Sequence, residues 1–242
     1  MYSANSLRIT FLPTRRKRPT AASTPPAIIR PIDASRLKTY PLQRRHSKVQ
    51  VSNFAKVWTK GRSFARFLDS LPDILAVKTL REVAQAIAKA HRNGRPVIVG
   101  MGAHVVKVGL GPLLVDLMER GIVTALAMNG AVIIHDFELA FMGHTSEEVD
   151  AEIDSGRFGM AEETGRMLNE AITLGMKEGQ GLGESLGSYI HRRKQLFPHR
   201  ATSLLATGFR LGLPITGHVA VGTDILHMRP SADGAAIGAG SL

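Results

Sequence analysis

A strand–helix–strand pattern between residues 96 and 130 places the strongest constraint on the fold. The segment PVIVGMG (96–102) is a short β-branched run bounded by proline and glycine, which predicts a buried strand. The segment GPLLVDLMERG (111–121) has apolar residues at helical spacing, and TALAMNG (124–130) is a second apolar run. Two buried strands joined by a helix are typical of parallel pairing. We therefore predict an α/β fold with a parallel sheet and flanking helices.

The dipeptide Asn129-Gly130 has two interpretations. It commonly forms a hairpin turn in which both residues have positive backbone angles. If TALAMNG is instead a central parallel strand, the dipeptide lies at the carboxyl edge of the sheet, where α/β proteins bind their ligands. The second interpretation predicts that the next segment, AVIIHD (131–136), begins beside a binding site.

Helical spacing and stop signals predict several more elements. Residues 63–91 have helical spacing that is broken at Pro72 and stopped at Asn93. TSEE (145–148) has the pattern of a capping box, in which a threonine side chain caps the start of a helix. The remaining predicted elements are helices at 161–177 and 201–212, a glycine-interrupted loop and helix at 179–194, and a strand at 213–221.

The charge of the chain is divided unevenly. Of the net charge of +11, residues 1–50 hold +10, from eleven basic residues against Asp33, whereas residues 51–242 hold 20 basic and 19 acidic residues. We interpret residues 1–36 as a disordered basic tail and residues 37–242 as the folded domain. A solvated extension explains the tail and leaves it only a weak attraction to nucleic acid or anionic membrane. A transit peptide is the alternative, but the tail has no amphipathic period.

Composition excludes several classes of protein. The chain has no cysteine, which excludes disulfides, thiolate metal sites and thiol nucleophiles. The N-terminus lacks the apolar core of a secretory signal. No apolar run approaches the roughly 20 residues that span a bilayer, so we expect a cytoplasmic protein without a membrane segment.

The first candidate site is the glycine-rich segment GMGAHVVKVGLGP (100–112). Its glycines allow backbone N–H groups to face an anion at the start of a helix. The dinucleotide fingerprint G-x-G-x-x-G requires its third glycine at residue 105, which is Val105, so the segment is at most a generic phosphate-binding turn. His104 is either a ligand-binding residue or a structural imidazole among apolar neighbours.

The second candidate site is the His135-Asp136 pair. In one interpretation Asp136 receives an amine or a ribose hydroxyl and His135 transfers a proton. In the other, which the pair taken alone favours, Asp136 caps the helix that continues beyond it. The third candidate is a cluster of metal-ligating residue types: His218, Asp224, His227 and Asp233. These residues suit a divalent metal in a hydrolase, or they are ordinary polar residues of a loop.

Five stretches together resemble the deoxyhypusine synthase family, in particular its bacterial deoxyhypusine synthase-like branch. They are KTYPL, GAHVVKVGL, NGAVIIHD, TSEEV with SGRFGMAEET, and GHVAVGTDILHMRPSADGAAIG. The resemblance covers the chain from Lys38 onward and implies a Rossmann-like fold that binds NAD. It also implies a homotetramer with active sites across subunit interfaces, and a reaction in which NAD oxidises spermidine and the aminobutyl group passes to an acceptor.

The resemblance assigns roles residue by residue. It places NAD beside six residues: Gly102, His104, Gly109, Asn129, Gly130 and Ala131. It assigns substrate binding to Asp136, Asp224 and His135, with Ile134 and His135 standing where the family has glutamates. No catalytic residue is assigned, because the chain ends at Leu242, before the family's second glycine-rich NAD loop and its catalytic lysine.

The resemblance therefore implies an aminobutyl transferase that is incomplete at its C-terminus and inactive alone. Two alternatives explain the same residues differently. A metal-dependent hydrolase would use the cluster of His218, Asp224, His227 and Asp233. A non-catalytic nucleotide-binding paralogue would bind its ligand without turnover.

Overall fold

The computed structural model describes residues 33–241, so residues 1–32 of the predicted basic tail lie outside the described residues. The chain divides into two compact units, with the boundary between Lys48 and Val49. The described residues of the first unit form two short 3-10 helices, Ala34–Arg36 and Leu42–Arg44. The second unit contains every strand and α-helix of residues 33–241. The predicted start of the folded domain at residue 37 stays a prediction.

Three parallel strands form the sheet within residues 33–241: β1 (Ile98–Met101), β2 (Ala125–Asn129) and β3 (Ile215–His218), in the order β1-β2-β3. The register pairs Met101 with Met128 and Asn129 with His218. Both neighbours of β2 run parallel to it, which confirms the predicted α/β fold and the central position of β2. The hairpin interpretation of Asn129-Gly130 is therefore wrong, because the chain passes from β2 directly into a helix.

The described residues form ten α-helices, several of which pack against the sheet. In chain order they are α1 (Phe64–Ser70), α2 (Leu75–Arg92), α3 (His104–Lys107), α4 (Gly111–Glu119), α5 (Gly130–Met142), α6 (Val149–Glu152), α7 (Glu162–Lys177), α8 (Leu182–Arg192), α9 (Leu204–Leu211) and α10 (Gly234–Gly240). Further 3-10 helices lie at Val51–Asn53, Arg200–Thr202 and Ile225–Met228. None of the helices in residues 33–241 has both the length and the apolar character needed to cross a bilayer.

Local chemistry explains where two of these helices begin and end. The side chain of Asn129 accepts a hydrogen bond from the backbone N–H of Val132 (3.1 Å), which starts α5 at the end of β2. Gly143 and Gly212 end α5 and α9 with φ of 76° and 65°, left-handed values that glycine adopts without strain. The capping box predicted at TSEE is wrong, since the N-cap of α6 is Glu148 and its side chain makes no capping hydrogen bond.

The core lies between β2 and the helices α5, α7, α8 and α9. Its fully buried side chains include Leu126 of β2, Phe137 of α5, Leu168 of α7, Ile190 of α8 and Leu205 of α9. The strand β1 departs from its predicted burial, because Ile98 is 66% exposed. Within the described sheet β1 is an edge strand that pairs only with β2, so its other side has no neighbouring strand.

Candidate functional site

The carboxyl ends of the three strands meet at one edge of the sheet. Gly102 follows β1, Gly130 follows β2, and His218 is the last residue of β3. A Cβ at Gly102 would meet only the Asn129 side chain, whose Nδ2 would be 3.8 Å away. Asn129 is itself exposed at the neighbouring strand end. Gly102 and Asn129 therefore form an open edge, where a ligand can come into direct contact with the backbone.

Gly130 is a glycine for a different reason. A Cβ at this position would overlap the carboxylate of Asp224. That carboxylate is held in place, because its Oδ2 accepts a hydrogen bond from the backbone N–H of Ala220 (2.8 Å). Asp224 therefore lies against the amino end of α5, where the helix dipole favours a negative charge. The position that an external anion often takes at a helix start is here taken by a side chain of the same protein.

The glycine-rich segment between β1 and α4 contains the short helix α3 in addition to its turns. His104 and Lys107 are the first and last residues of α3, and both are exposed. Gly109 follows with φ of 82°, a left-handed conformation that glycine adopts readily. The segment thus places two basic side chains directly after Gly102. The predicted NAD contact of Gly109 stays a prediction.

A cavity of about 230 Å³ lies beside this edge of the sheet, and we call it the sheet-edge cavity. It brings together three residues that the sequence singled out, namely Ala131, His135 and Asp224. Lys107 of α3 and the carboxylate side chain of Glu138 also line it. With Glu147, which also lines it, the cavity combines one basic residue, three acids and an imidazole within a single small volume.

A larger cavity of about 580 Å³ adjoins the first, because Glu138, Ser146 and Glu147 line both. Ser146 has φ of 76°, a left-handed conformation that is strained for a residue other than glycine. Glu147 holds the neighbouring chain, since its carboxylate accepts a hydrogen bond from the backbone N–H of Gly159 (3.0 Å). The wall between the two cavities is thus a strained and hydrogen-bonded segment.

A series of hydrogen bonds fixes the imidazole of His135. The Thr145 hydroxyl donates to Glu138, and Nδ1 of His135 lies 2.7 Å from the Thr145 oxygen. Because a hydroxyl has a single proton to donate, the Thr145 oxygen accepts from His135, and the imidazole carries its proton on Nδ1. Nε2 is then the unprotonated nitrogen, which can accept a proton. Glu138 is fixed on its other oxygen as well, where the Thr164 hydroxyl donates (3.0 Å).

The surroundings of His135 keep the imidazole neutral. Burial is the largest influence and lowers the pKa of His135 below its ordinary value of 6.5. The carboxylate of Glu138 raises this pKa, while Lys107 and His104 lower it further. The neutral form is the one that accepts a proton, so the electrostatics and the hydrogen bonds of His135 favour the same chemical role.

Asp136, the next residue, faces the core and lies outside the sheet-edge cavity. It is 1% exposed and accepts hydrogen bonds from the Ser203 hydroxyl (2.6 Å) and from the backbone N–H groups of Leu204 (2.7 Å) and Leu205 (3.2 Å). It therefore caps the start of α9 from across the core. This corrects the expectation that Asp136 binds substrate. It also corrects the alternative that Asp136 caps its own helix, since α5 begins earlier, at Gly130.

The predicted metal cluster is not assembled. Within residues 33–241, no group of three His, Cys, Asp or Glu side chains is arranged to hold a metal ion. Nε2 of His227 accepts a hydrogen bond from the backbone N–H of Gly222 (2.9 Å), and His218 contacts the Thr216 hydroxyl (2.9 Å). Asp233 caps the start of α10. The metal-dependent hydrolase alternative is therefore wrong.

Sequence reasoning did not identify Glu138 and Thr145 as residues of the candidate site. It also did not predict that Lys107 lines the sheet-edge cavity. Glu138 had a detectable signal, because Ala131, His135 and Glu138 are spaced i, i+4 and i+7 and so share one face of a helix. Thr145 had none, since its contact with α5 depends on the reversal of the chain at Gly143.

Comparison with known proteins gives only weak structural similarity. No family model matches the chain, and no curated protein matches it. One similar structure is ArgZ, an arginine dihydrolase from the ornithine–ammonia cycle in cyanobacteria, with 17% identity and a TM-score of 0.43 over 69% of this chain and 21% of ArgZ. Another is AgrE in a ternary complex with ornithine and NAD⁺, with 20% identity and a TM-score of 0.42 over 74% of this chain and 22% of AgrE. A third is a conserved LOR/SDH protein from Methanococcus maripaludis, with 14% identity and a TM-score of 0.40 over 75% of this chain and 48% of that protein.

At these TM-scores the similarity identifies neither a family nor a reaction for this chain. The chain spans about a fifth of the length of ArgZ and AgrE and about half of the LOR/SDH protein. These structures are not deoxyhypusine synthases, and no family model matches, so the predicted membership of the deoxyhypusine synthase family is wrong. The predicted aminobutyl transfer from spermidine is therefore wrong as well. The homotetramer was implied only by the resemblance, and no finding supports it.

Proposed function

We propose that the second unit is a nucleotide-binding domain that binds NAD at the carboxyl edge of its parallel sheet. The observation that carries the proposal is the open edge formed by Gly102 and Asn129 on adjacent strand ends. Open α/β sheets bind their ligands at this edge. A glycine there lets the backbone approach a phosphate group without an intervening side chain.

The residues at the edge fit a dinucleotide in two respects. The backbone at Gly102 and the ammonium group of Lys107 supply a donor and a positive charge for a pyrophosphate. Asp224 supplies an acceptor for a ribose hydroxyl, because its Oδ2 is held by Ala220 while Oδ1 makes no hydrogen bond among the described residues. The amino end of α5 would not contact the phosphates, since Asp224 covers it.

NAD, when bound, supplies a hydride acceptor. The chain itself supplies His135, which lines the sheet-edge cavity and accepts a proton at Nε2. Thr145 and Glu138 keep the imidazole in the tautomer that leaves this nitrogen free. Lys107 adds a positive charge to the same cavity.

Binding is tested by titrating the purified full chain with NADH and NAD⁺ and recording heat release and nicotinamide fluorescence. We expect saturable binding of both. The test variant is Gly102→Val, whose new side chain fills the open edge. Because φ of Gly102 is not in the left-handed region and its Cβ would meet only Asn129, this variant keeps the fold. We expect its NADH affinity to fall at least about tenfold, which is about 1.4 kcal/mol of binding free energy.

Gly238→Val on α10 is the matched control, since a Cβ at Gly238 meets nothing within 4 Å and no strand end is involved. It should bind NADH as the unaltered chain does. An unaltered chain that is folded by circular dichroism but shows no saturable NADH or NAD⁺ binding would overturn the proposal. Equal affinity in the Gly102→Val and Gly238→Val variants would place NAD away from this edge.

A further inference from the structure

The charges of the second unit are distributed unevenly along the chain. Residues 185–223 contain no aspartate or glutamate and five basic residues: Arg192, Arg193, Lys194, Arg200 and Arg210. The rest of residues 49–241 contains 15 basic and 19 acidic residues, so a basic segment is set against a slightly acidic remainder. Such a separation concentrates positive potential on one part of the protein surface.

Four of these cations form one surface at the end of α8, which we call the α8 basic surface: Arg192, Arg193, Lys194 and Arg200. The Nη1 atom of Arg200 donates to the backbone carbonyl of Lys194 (3.5 Å), which brings Arg200 back to the end of α8. Burial, and then the charges of Lys194, Arg200, Arg210 and Arg192, hold the pKa of His191 below its ordinary value. Three cations of this surface, Arg192, Lys194 and Arg200, therefore act on the same imidazole.

Aromatic rings hold two of the guanidinium groups. Arg193 lies over the ring of Tyr189 with its Cζ atom 3.7 Å from the centroid, and Arg192 lies 5.5 Å from the centroid of Phe209. A stacked guanidinium keeps its N–H groups in its own plane, where they can still donate to phosphate oxygens. Stacking thus orders both groups without neutralising them.

The four cations also lack acidic partners in the part of the chain that the structure describes. None of them has a carboxylate within 4.0 Å, whereas Arg210 is paired with Glu119. Their charge is therefore available to an external anion. Arginine matches a phosphate group with two parallel hydrogen bonds, which makes phosphate the anion that this surface fits best.

The shape of the surface favours a phosphate-bearing polymer over a membrane. Residues 192–196 line a cavity of about 430 Å³, a recess that can receive a phosphate group. Leu196, which is 40% exposed, is the large apolar side chain of this recess. One leucine offers little apolar surface for insertion into a bilayer, whereas membrane-surface segments present a whole apolar face.

We propose that the α8 basic surface binds the phosphate backbone of a nucleic acid without regard to base sequence. None of its four cations lines the sheet-edge cavity, so this surface is separate from the proposed NAD site and does not rest on it. Binding is electrostatic and releases counterions, so it weakens steeply as salt concentration rises. RNA and DNA carry the same phosphate chemistry, and the test compares the two.

The test measures fluorescence anisotropy of a labelled single-stranded RNA and of a labelled DNA duplex of equal length, over a range of salt concentrations. The full chain is used throughout, so the basic N-terminal segment contributes equally to every variant. In the triple variant Arg192→Gln, Arg193→Gln, Lys194→Gln we expect affinity to fall at least about tenfold. Affinity should also depend less steeply on salt. The slope of log affinity against log salt should become less negative by about 2 to 3, because three phosphate contacts are lost.

The matched control removes three exposed cations from the region of α2, as Lys89→Gln, Arg92→Gln, Arg95→Gln. It lowers the net charge equally and should leave affinity and salt slope close to those of the unaltered chain. The same loss in both triple variants would overturn the proposal, because binding would then follow net charge alone. Binding to vesicles of phosphatidylcholine and phosphatidylserine in a ratio of about 7:3, without any binding to RNA or DNA, would overturn the proposal in favour of a membrane. The far-ultraviolet circular dichroism spectrum of the α8 variant should match that of the unaltered chain, which shows that the variant is folded.

Discussion

His135 and Asp136 are neighbours in the sequence, yet they lie in different surroundings on α5. His135 lines the sheet-edge cavity, whereas Asp136 is 1% exposed and hydrogen-bonded to the start of α9. Successive residues of an α-helix point about 100° apart, so one step along the chain moves a side chain from the cavity to the core. Nearness in sequence to a binding edge therefore does not identify a binding residue, whereas the position on the helix face does.

Burial acts on both side chains, with opposite effects on their pKa values. It lowers the pKa of His135 and raises the pKa of Asp136 to about 6, because in each case it disfavours the charged form. For His135 the favoured neutral form is a proton acceptor. For Asp136 the hydrogen bonds from Ser203, Leu204 and Leu205 only partly offset the cost of burying the charge. On one face of α5, His135 is thus available to the cavity as a proton acceptor. On the other face, Asp136 caps the start of α9 within the core.

Asp136→Ala should produce the largest effect on stability. The substitution leaves the Ser203 hydroxyl and the backbone N–H groups of Leu204 and Leu205 buried without an acceptor. We expect the free energy of unfolding to fall by about 4 kcal/mol, since each orphaned buried donor costs on the order of 1 kcal/mol or more and a cavity is added. Urea denaturation followed by circular dichroism measures the change.

His135→Ala is the matched control on the cavity face of the same helix. It should lower the free energy of unfolding by no more than about 1 kcal/mol, because the removed side chain lies at a cavity and its partner Thr145 keeps its bond to Glu138. A loss of stability in this variant as large as that in Asp136→Ala would contradict the conclusion that Asp136 stabilises the fold and His135 does not.

The pH dependence of stability sharpens the same comparison. The pKa of Asp136 is about 6 in the folded protein against 3.8 for the ordinary carboxyl group. Because folding raises this pKa, the folded protein binds more protons between the two values. The contribution of Asp136 to stability is therefore complete below pH 3.8 and is lost as the pH rises through about 6. A gap of about two pKa units corresponds to about 3 kcal/mol.

The measurement compares the unaltered chain with Asp136→Asn, which cannot ionise, by urea denaturation from about pH 4 to pH 7. We expect the unaltered chain to lose roughly 2.4 kcal/mol relative to the variant over this range, since part of the effect falls below pH 4. Other carboxyl groups titrate equally in both proteins and cancel in the difference. Parallel stability curves would mean that Asp136 does not titrate in the core.

The sheet and the position of its edge could be predicted from the sequence, because they depend on local patterns. The apolar runs ending at Met101 and Asn129 and the helix between them determine a parallel pair without reference to distant residues. The exposure of Ile98 could not be predicted in the same way. An apolar run has the same appearance in an edge strand and in a central strand, and only the strand order distinguishes them.

Only part of the candidate site could be predicted. The position of Asn129 at the end of a strand identified it, whereas Asp224 was identified by the resemblance and by the cluster of metal-ligating residue types. The role of Asp136 depends on Ser203, which lies 67 residues away, and no local pattern reports such a contact. Thr145 was assigned to a capping box because its spacing fits one, whereas its hydroxyl is used by Glu138. The resemblance to deoxyhypusine synthases misled for a similar reason, since short glycine-rich motifs recur at the strand ends of many α/β proteins.

Thr145→Val should have the smallest effect on stability and a clear spectroscopic effect on the cavity face. Valine has the shape of threonine but cannot accept the proton of Nδ1, and Glu138 is too far to replace it, with Oε2 at 3.9 Å. We expect nitrogen-15 NMR to show the proton of His135 on Nδ1 in the unaltered chain and largely on Nε2 in the variant. The control is Thr164→Val, which removes the other hydrogen bond to Glu138 and should leave the proton on Nδ1. Stability should change by about 1 kcal/mol or less in the Thr145 variant. A proton on Nε2 in the unaltered chain would mean that Thr145 donates to the imidazole, and His135 would then present no proton-accepting nitrogen on the cavity face of α5.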